Sequence, residues 1–168
     1  MPIYEFENIR PVVDPSAFVH PTASLIGDVI VGPACLVGPG ASLRGDIGRI
    51  VMERGSNVQD NCTVHTFPGK DCIIGPDGHV GHGAVLHGCR LEANAMIGMN
   101  AVVMDDVIVA GNSEEVVPRE VEARRVDLIA VGGFQSNRAT RDLLTRQRQQ
   151  IVDHAACPVV VHRGHNPG

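Results

Sequence analysis

The aliphatic positions of this chain keep a six-residue beat. Val19, Leu25, Val31, Val37 and Leu43 lie six apart; so do Met52, Val58 and Val64, then Ile74, Val80 and Leu86, then Leu91, Ile97, Val103 and Val109. Two positions before each beat stands a small or medium residue, as at Ala23, Cys35, Ala41, Ser56, Cys62, Cys72, Ala84, Cys89 and Ala95. Period six is neither the 3.6-residue repeat of a helix nor the plain alternation of a lone strand. It is the hexapeptide pattern of a parallel β-helix, in which three repeats make a triangular coil of about 18 residues. The aliphatic residue fills the prism and the small residue fits near a corner. The pattern therefore predicts an all-β solenoid over residues 1–111.

Breaks in the beat locate the irregularities. Residues 1–16, with Pro11 and Pro15, read as a lead-in that caps the first coil with an edge strand. The step from Leu43 to Met52 is nine instead of six, which places a three-residue insertion at a corner around Gly45–Arg49. The step from Val64 to Ile74 places a four-residue loop within Thr66–Cys72, where Pro68-Gly69 marks a turn. Beyond Val109 the beat fails. Residues 112–168 read as a degenerate last coil, a helix over roughly 138–152 capped by Ser136 or Asn137, and a loose end from Pro158 to Gly168.

Composition narrows the picture only slightly. Aromatic content is 3% and tryptophan is absent, which suits a narrow prism. Residues 1–110 carry 6 Arg/Lys against 12 Asp/Glu, so no basic stripe invites nucleic acid. No apolar run is long enough to span a membrane, and the start lacks a signal-peptide pattern, so a cytoplasmic location is expected. Cys35, Cys62, Cys72 and Cys89 occupy the small interior slot, where a free thiol acts as a small hydrophobe. No Cys-x-x-Cys is present.

The register then points to chemistry. His65 follows the beat at Val64, and His87 follows the beat at Leu86. They are 22 residues apart; without the four-residue loop, 18 remain, one full coil. Both side chains should therefore stack on one face, one rung apart and pointing outward, able to share a metal. His82 follows Val80 by two and belongs to the preceding face, near its corner. It cannot easily complete the same tetrahedron within one chain, but a neighbouring copy could supply it, and three-sided prisms pack as closed threefold trimers. Arg44 lies one coil below His65, Asp60 takes the slot below His82, and Gln59 and Asp46 are close by. A ligating histidine wants such polar support behind it, and an Arg–Asp pair across the interface could hold a trimer together. A single outward histidine is ordinarily surface; three in this arrangement, flanked by these groups, read as a metal site. His20 and His79 do not share the register of the pair, and His154, His162 and His165 lie in the loose end.

Three stretches carry a family likeness: Arg44-Gly45-Asp46, Asn57 to His65, and Gly78 to Cys89. With Phe18 to Ala23, Leu25 to Ile30 and Gly98 to Asp105, they resemble the γ-class carbonic anhydrase-like hexapeptide family. The likeness is strongest to its phenylacetate-degradation and carnitine-operon branch and covers about residues 1–111. It implies a left-handed β-helix, a homotrimer, and one zinc per subunit (cobalt or iron as alternatives). The implied ligands are His65 and His87 from one subunit and His82 from its neighbour. By the same likeness Arg44 and Asp46 serve the interface, Gln59 lies near the metal's solvent ligand, Asp60 supports trimer and site, and Asn100 lies near the site.

Two functions follow from that likeness: zinc-dependent hydration of CO2 to bicarbonate, or metal-dependent hydrolysis of an acyl-CoA thioester. A non-catalytic scaffold subunit is a third reading. A hexapeptide acetyltransferase fits less well, since no loop here is long enough to carry its usual histidine. Relatives that hydrate CO2 carry acidic residues just after Arg-Gly-Asp and beyond the first histidine. Here Ile47 follows Asp46, and Thr66 to Lys70 contains no acid, so hydration is expected to be slow.

Overall fold

The computed structural model describes residues 3–111 and two short strands, Ile129–Val131 and Val159–Val161. The chain divides into two units, Met1–Gly111 and Asn112–Gly168. In the first, every strand pairing between named strands is parallel, and each strand pairs with one about a coil away in sequence. This is the hexapeptide-repeat solenoid that the beat predicts.

Three faces build the prism. The first carries the start of β4 (Ser24–Val31), the start of β6 (Ser42–Met52), β8 (Thr63–His65), β11 (Val85–His87) and β14 (Val102–Val103). The second carries the ends of β4 and β6, then β9 (Cys72–Ile74), β12 (Arg90–Leu91) and β15 (Ile108–Val109). The third is a separate sheet of β3 (Phe18–Val19), β5 (Leu36–Val37), β7 (Asn57–Val58), β10 (His79–Val80) and β13 (Met96–Ile97). The lead-in supplies β1 (Ile3–Tyr4) and β2 (Val12–Val13), both paired to β4, so it is the edge strand expected.

The beat residues from Leu25 to Leu91 are essentially inaccessible, and Val19 and Ile97 nearly so. Val103 and Val109, in the last described coil, are only partly buried. The four solenoid cysteines are free and buried, as the small-slot reading requires. Cys72 and Cys89 stack with their sulfurs 3.9 Å apart. That contact and burial push the Cys72 thiol up, which keeps it protonated filler.

The insertion around Gly45–Arg49 lies at the corner where the spacing puts it, between the part of β6 paired with β8 and the part paired with β9. It stays within the continuous β6, whose register against β4 shifts between Gly27 and Val29. The backbones close up there: a Cβ on Gly45 would lie 2.3 Å from the Asp28 carbonyl oxygen. Arg49 then reaches across the bulge to Asp28, 2.9 Å away. A close approach that only glycine allows lets the extra residues stay within one extended strand. The loop expected within Thr66–Cys72 is present as a turn tied by Lys70 N–H to the Phe67 carbonyl (3.1 Å).

In the second unit, β16 (Ile129–Val131) and β17 (Val159–Val161) pair in parallel. Val159–Val161 is thus a strand rather than part of a loose end. The helix expected over 138–152 and the histidines at 154, 162 and 165 lie outside the described residues. No helix among the described residues is long and apolar enough to cross a membrane.

Candidate metal centre

His65 and His87 end β8 and β11, and they are direct register partners. The rung spacing places their rings 5.2 Å apart at 65°, with His65 Nδ1 3.2 Å from His87 Nε2. The remaining nitrogen of each ring meets a carboxylate. His65 Nε2 is 3.0 Å from Asp46 Oδ1, and His87 Nδ1 is 2.8 Å from Asp105 Oδ1. All four side chains are about four-fifths buried.

These contacts dictate the tautomers. A carboxylate only accepts, so His65 must donate from Nε2 and His87 from Nδ1. The two nitrogens that face each other then both present lone pairs. Two lone pairs at 3.2 Å repel unless a cation or a proton lies between them. A tetrahedral zinc with Zn–N bonds of about 2.0–2.1 Å holds two nitrogens about 3.3–3.4 Å apart. The pair therefore matches one edge of such a site, and each ring is held from behind by a carboxylate as metal-bound histidines commonly are.

Arg44 fixes the upper carboxylate. Its Nε and Nη2 donate to Asp46 Oδ2 at 3.3 and 3.2 Å. Arg44 is also 3.4 Å from His65 Nε2, but with no acceptor on either side this is a neighbour contact rather than a hydrogen bond. Burial works against charge on Asp46, yet the hydrogen bond from His65 and the charge of Arg44 together hold its carboxyl below the usual value. Arg44 thus pairs with Asp46 of its own chain.

The other expected residues gather at a different corner. His82 follows β10, with its side chain about half exposed. Its Nδ1 lies 3.3 Å from the Asp60 backbone N–H and 3.5 Å from Asp60 Oδ2. The first contact makes Nδ1 an acceptor and the second makes it a donor; only the second leaves the Nε2 lone pair free for a metal. Gln59 precedes Asp60, and its N–H donates to Val80 O at 3.0 Å. Asn100, at φ 57°, donates its N–H to the His82 carbonyl at 2.8 Å. So Gln59, Asp60, His82 and Asn100 form one group and Arg44, Asp46, His65 and His87 another. Among the described residues, no group of three or more His, Cys, Asp or Glu within the chain is arranged to hold a metal ion. His20 bonds Thr22 and His79 bonds Asn57, both away from the pair.

Two neighbours of the pair escaped the sequence reading. Asp105 lies one coil beyond His87, a signal the 18-residue register already contained. Phe67, in the loop after β8, sets its ring edge-on to His87 with centroids 4.6 Å apart, and it is half exposed. Ile47, another exposed apolar residue, follows Asp46.

Fold and repeat together define a hexapeptide-repeat β-solenoid protein. Over 113 residues the chain is 52% identical to the carnitine operon protein CaiE of Escherichia coli K12, a match covering 67% of this chain and 58% of that protein. The counterpart from Escherichia coli O157:H7 is 52% identical over 105 residues, covering 62% and 54%. The chain thus spans a little over half the length of the curated relatives it matches. Two solved structures share the fold. A Bacillus cereus protein provisionally named an acetyltransferase aligns with a TM-score of 0.63 at 22% identity, covering 90% of this chain and 94% of that one. A hexapeptide transferase family protein from Anaplasma phagocytophilum gives 0.60 at 24% identity, covering 91% and 96%. At those identities the likeness concerns fold alone. The universal stress protein family matches residues 87–163, a span that begins inside the solenoid and runs through β16 and β17.

Proposed function

We propose that this chain forms a metal-dependent enzyme whose centre is shared between copies, with His65 and His87 from one chain and His82 from the next in a homotrimer. The observation that carries the reading is the convergence of two lone pairs, His65 Nδ1 and His87 Nε2, at 3.2 Å. Grouping of the other residues at a second corner supports a centre completed by another chain. Zinc is the metal best suited to an all-imidazole donor set, with cobalt or iron as alternatives. When bound, zinc would lower the pKa of a water toward neutrality and so supply a nucleophile.

The chain's own groups do the rest. Asp46, clamped by Arg44, holds the His65 proton on Nε2 and keeps Nδ1 available. Gln59 and Asn100 come with His82 and offer amide groups to orient a substrate. The reaction proposed is hydration of CO2 to bicarbonate, the chemistry implied by the likeness to γ-class carbonic anhydrases. Hydrolysis of an acyl-CoA thioester is the second reading, and Ile47 and Phe67 favour it. Where a proton relay would need acids, these residues present apolar surface suited to an acyl group.

Metal content of the purified protein, with parallel assays on CO2 and a panel of acyl-CoA esters, tests both. Protein that takes up no divalent metal would remove the whole reading. Fast CO2 hydration with no thioester hydrolysis would leave the first alone.

A further inference from the structure

We infer that Asp105 is a positioning residue for the centre, the counterpart of Asp46 on the opposite side of the histidine pair; this rests on the metal reading above. Asp46 meets His65 from the coil before it, and Asp105 meets His87 from the coil after it, at 2.8 Å. The backbone fixes Asp105 independently of any ligand. Leu86 and Val103 are register partners on adjacent rungs, and Asp106 N–H donates to the Gly88 carbonyl at 2.9 Å. Asp106 is also paired with Lys70, which ties this corner to the loop after β8.

The carboxylate needs room, and Gly88 supplies it. A Cβ on Gly88 would lie 2.3 Å from Asp105 Oδ1, closer than atoms approach. Gly88 also sits at φ 55°, where a side chain is strained. So the glycine directly after His87 keeps open the slot through which the next coil grips that histidine. Without the carboxylate, no other group among the described residues holds the His87 proton on Nδ1. It would move to Nε2, the more stable tautomer of a free histidine side chain, and fill the lone pair that faces His65. Asp105 acts through His87 and touches no reacting atom.

The test compares the parent chain with Asp105→Leu, Asp105→Asn and Gly88→Ala. Nitrogen NMR of the metal-free protein, with labelled histidine, reports which nitrogen of His87 holds its proton. Competition with a chromophoric chelator gives zinc affinity. The parent and Asp105→Asn should keep the proton on Nδ1, since an amide oxygen still accepts it. Asp105→Leu should shift it to Nε2 and weaken zinc by about 10–100-fold. Gly88→Ala should do the same by displacing the carboxylate, and it decides the matter should Asp105→Leu fail to fold. A Leu or Ala variant that keeps the Nδ1 proton and parental zinc affinity overturns the inference. If the parent binds no zinc but the proton still moves in Asp105→Leu, the metal reading fails and the positioning role stands.

Discussion

At one corner of the prism His65 and His87 are about four-fifths buried, and each gives one ring nitrogen to its own carboxylate. At the other, His82 is 53% exposed and its Nδ1 sits between two Asp60 groups that ask for opposite tautomers. The difference is one of preorganisation. The first corner pays its ordering cost when the chain folds, because rung stacking alone brings the rings together. The second is left open: among the described residues the partners of its histidine side chain, both from Asp60, lie on Nδ1. A half-site finished within the chain beside a ligand left unfinished is the arrangement expected when an interface completes the centre.

Both corners stand on the same prism, so the most disruptive change strikes what they share. Val80 and Val58 are wholly inaccessible. Val80→Asp or Val58→Asp places an unpaired charge among aliphatic side chains, which costs several kcal/mol even after relaxation. That rivals the entire stability of an ordinary domain. No cooperative thermal transition in circular dichroism is expected, and a normally melting Val80→Asp protein would refute the stacked core.

Removing ligands separates the corners. His65→Ala, His87→Ala and His82→Ala should each lose most of the bound metal and all hydrolytic activity while leaving the fold intact. Mixing sharpens this. His65→Ala chains combined with His82→Ala chains should regain some complete centres, since each centre draws on two chains. If both variants assemble and the mixture never recovers metal, the two corners do not meet.

Arg44→Ala should act more mildly. It leaves both histidines in place but frees Asp46, whose carboxyl Arg44 helps to keep charged. A drop in zinc affinity of about tenfold is expected, at the low end of what support behind a metal ligand is worth. Affinity unchanged within experimental scatter would show that rung stacking alone orients His65.

The uneven legibility of the sequence has physical causes. The core was readable because every interior position repeats one constraint, and one register argument placed His65 against His87. Spacing places the three-residue insertion of Gly45–Arg49 at its corner but cannot tell a loop from a bulge; that depends on how closely Gly45 approaches Asp28. Asp105 is not legible in the sequence as a site residue, since aspartates are common at corners and only its geometry toward His87 sets it apart from Asp106. Val159–Val161 looked loose because its partner, Ile129–Val131, lies about thirty residues earlier, and three apolar residues carry no periodic signal by themselves.

Asp60→Ala should show the smallest effect on the chain and the sharpest contrast between folding and assembly. Its carboxylate is 45% exposed and 3.5 Å from His82, and exposed pairs of this kind contribute roughly 0–1 kcal/mol. The melting temperature of the chain should therefore barely move. At an interface the same group loses its water, so its removal should weaken association more than folding. It would also leave only the backbone N–H beside His82 Nδ1, which favours the tautomer that cannot use Nε2 for a metal. Light scattering across a dilution series should show earlier dissociation than the parent, with unchanged circular dichroism. Equal loss of assembly and of chain stability would make Asp60 an ordinary structural corner residue, and the open corner would then owe nothing to a second chain.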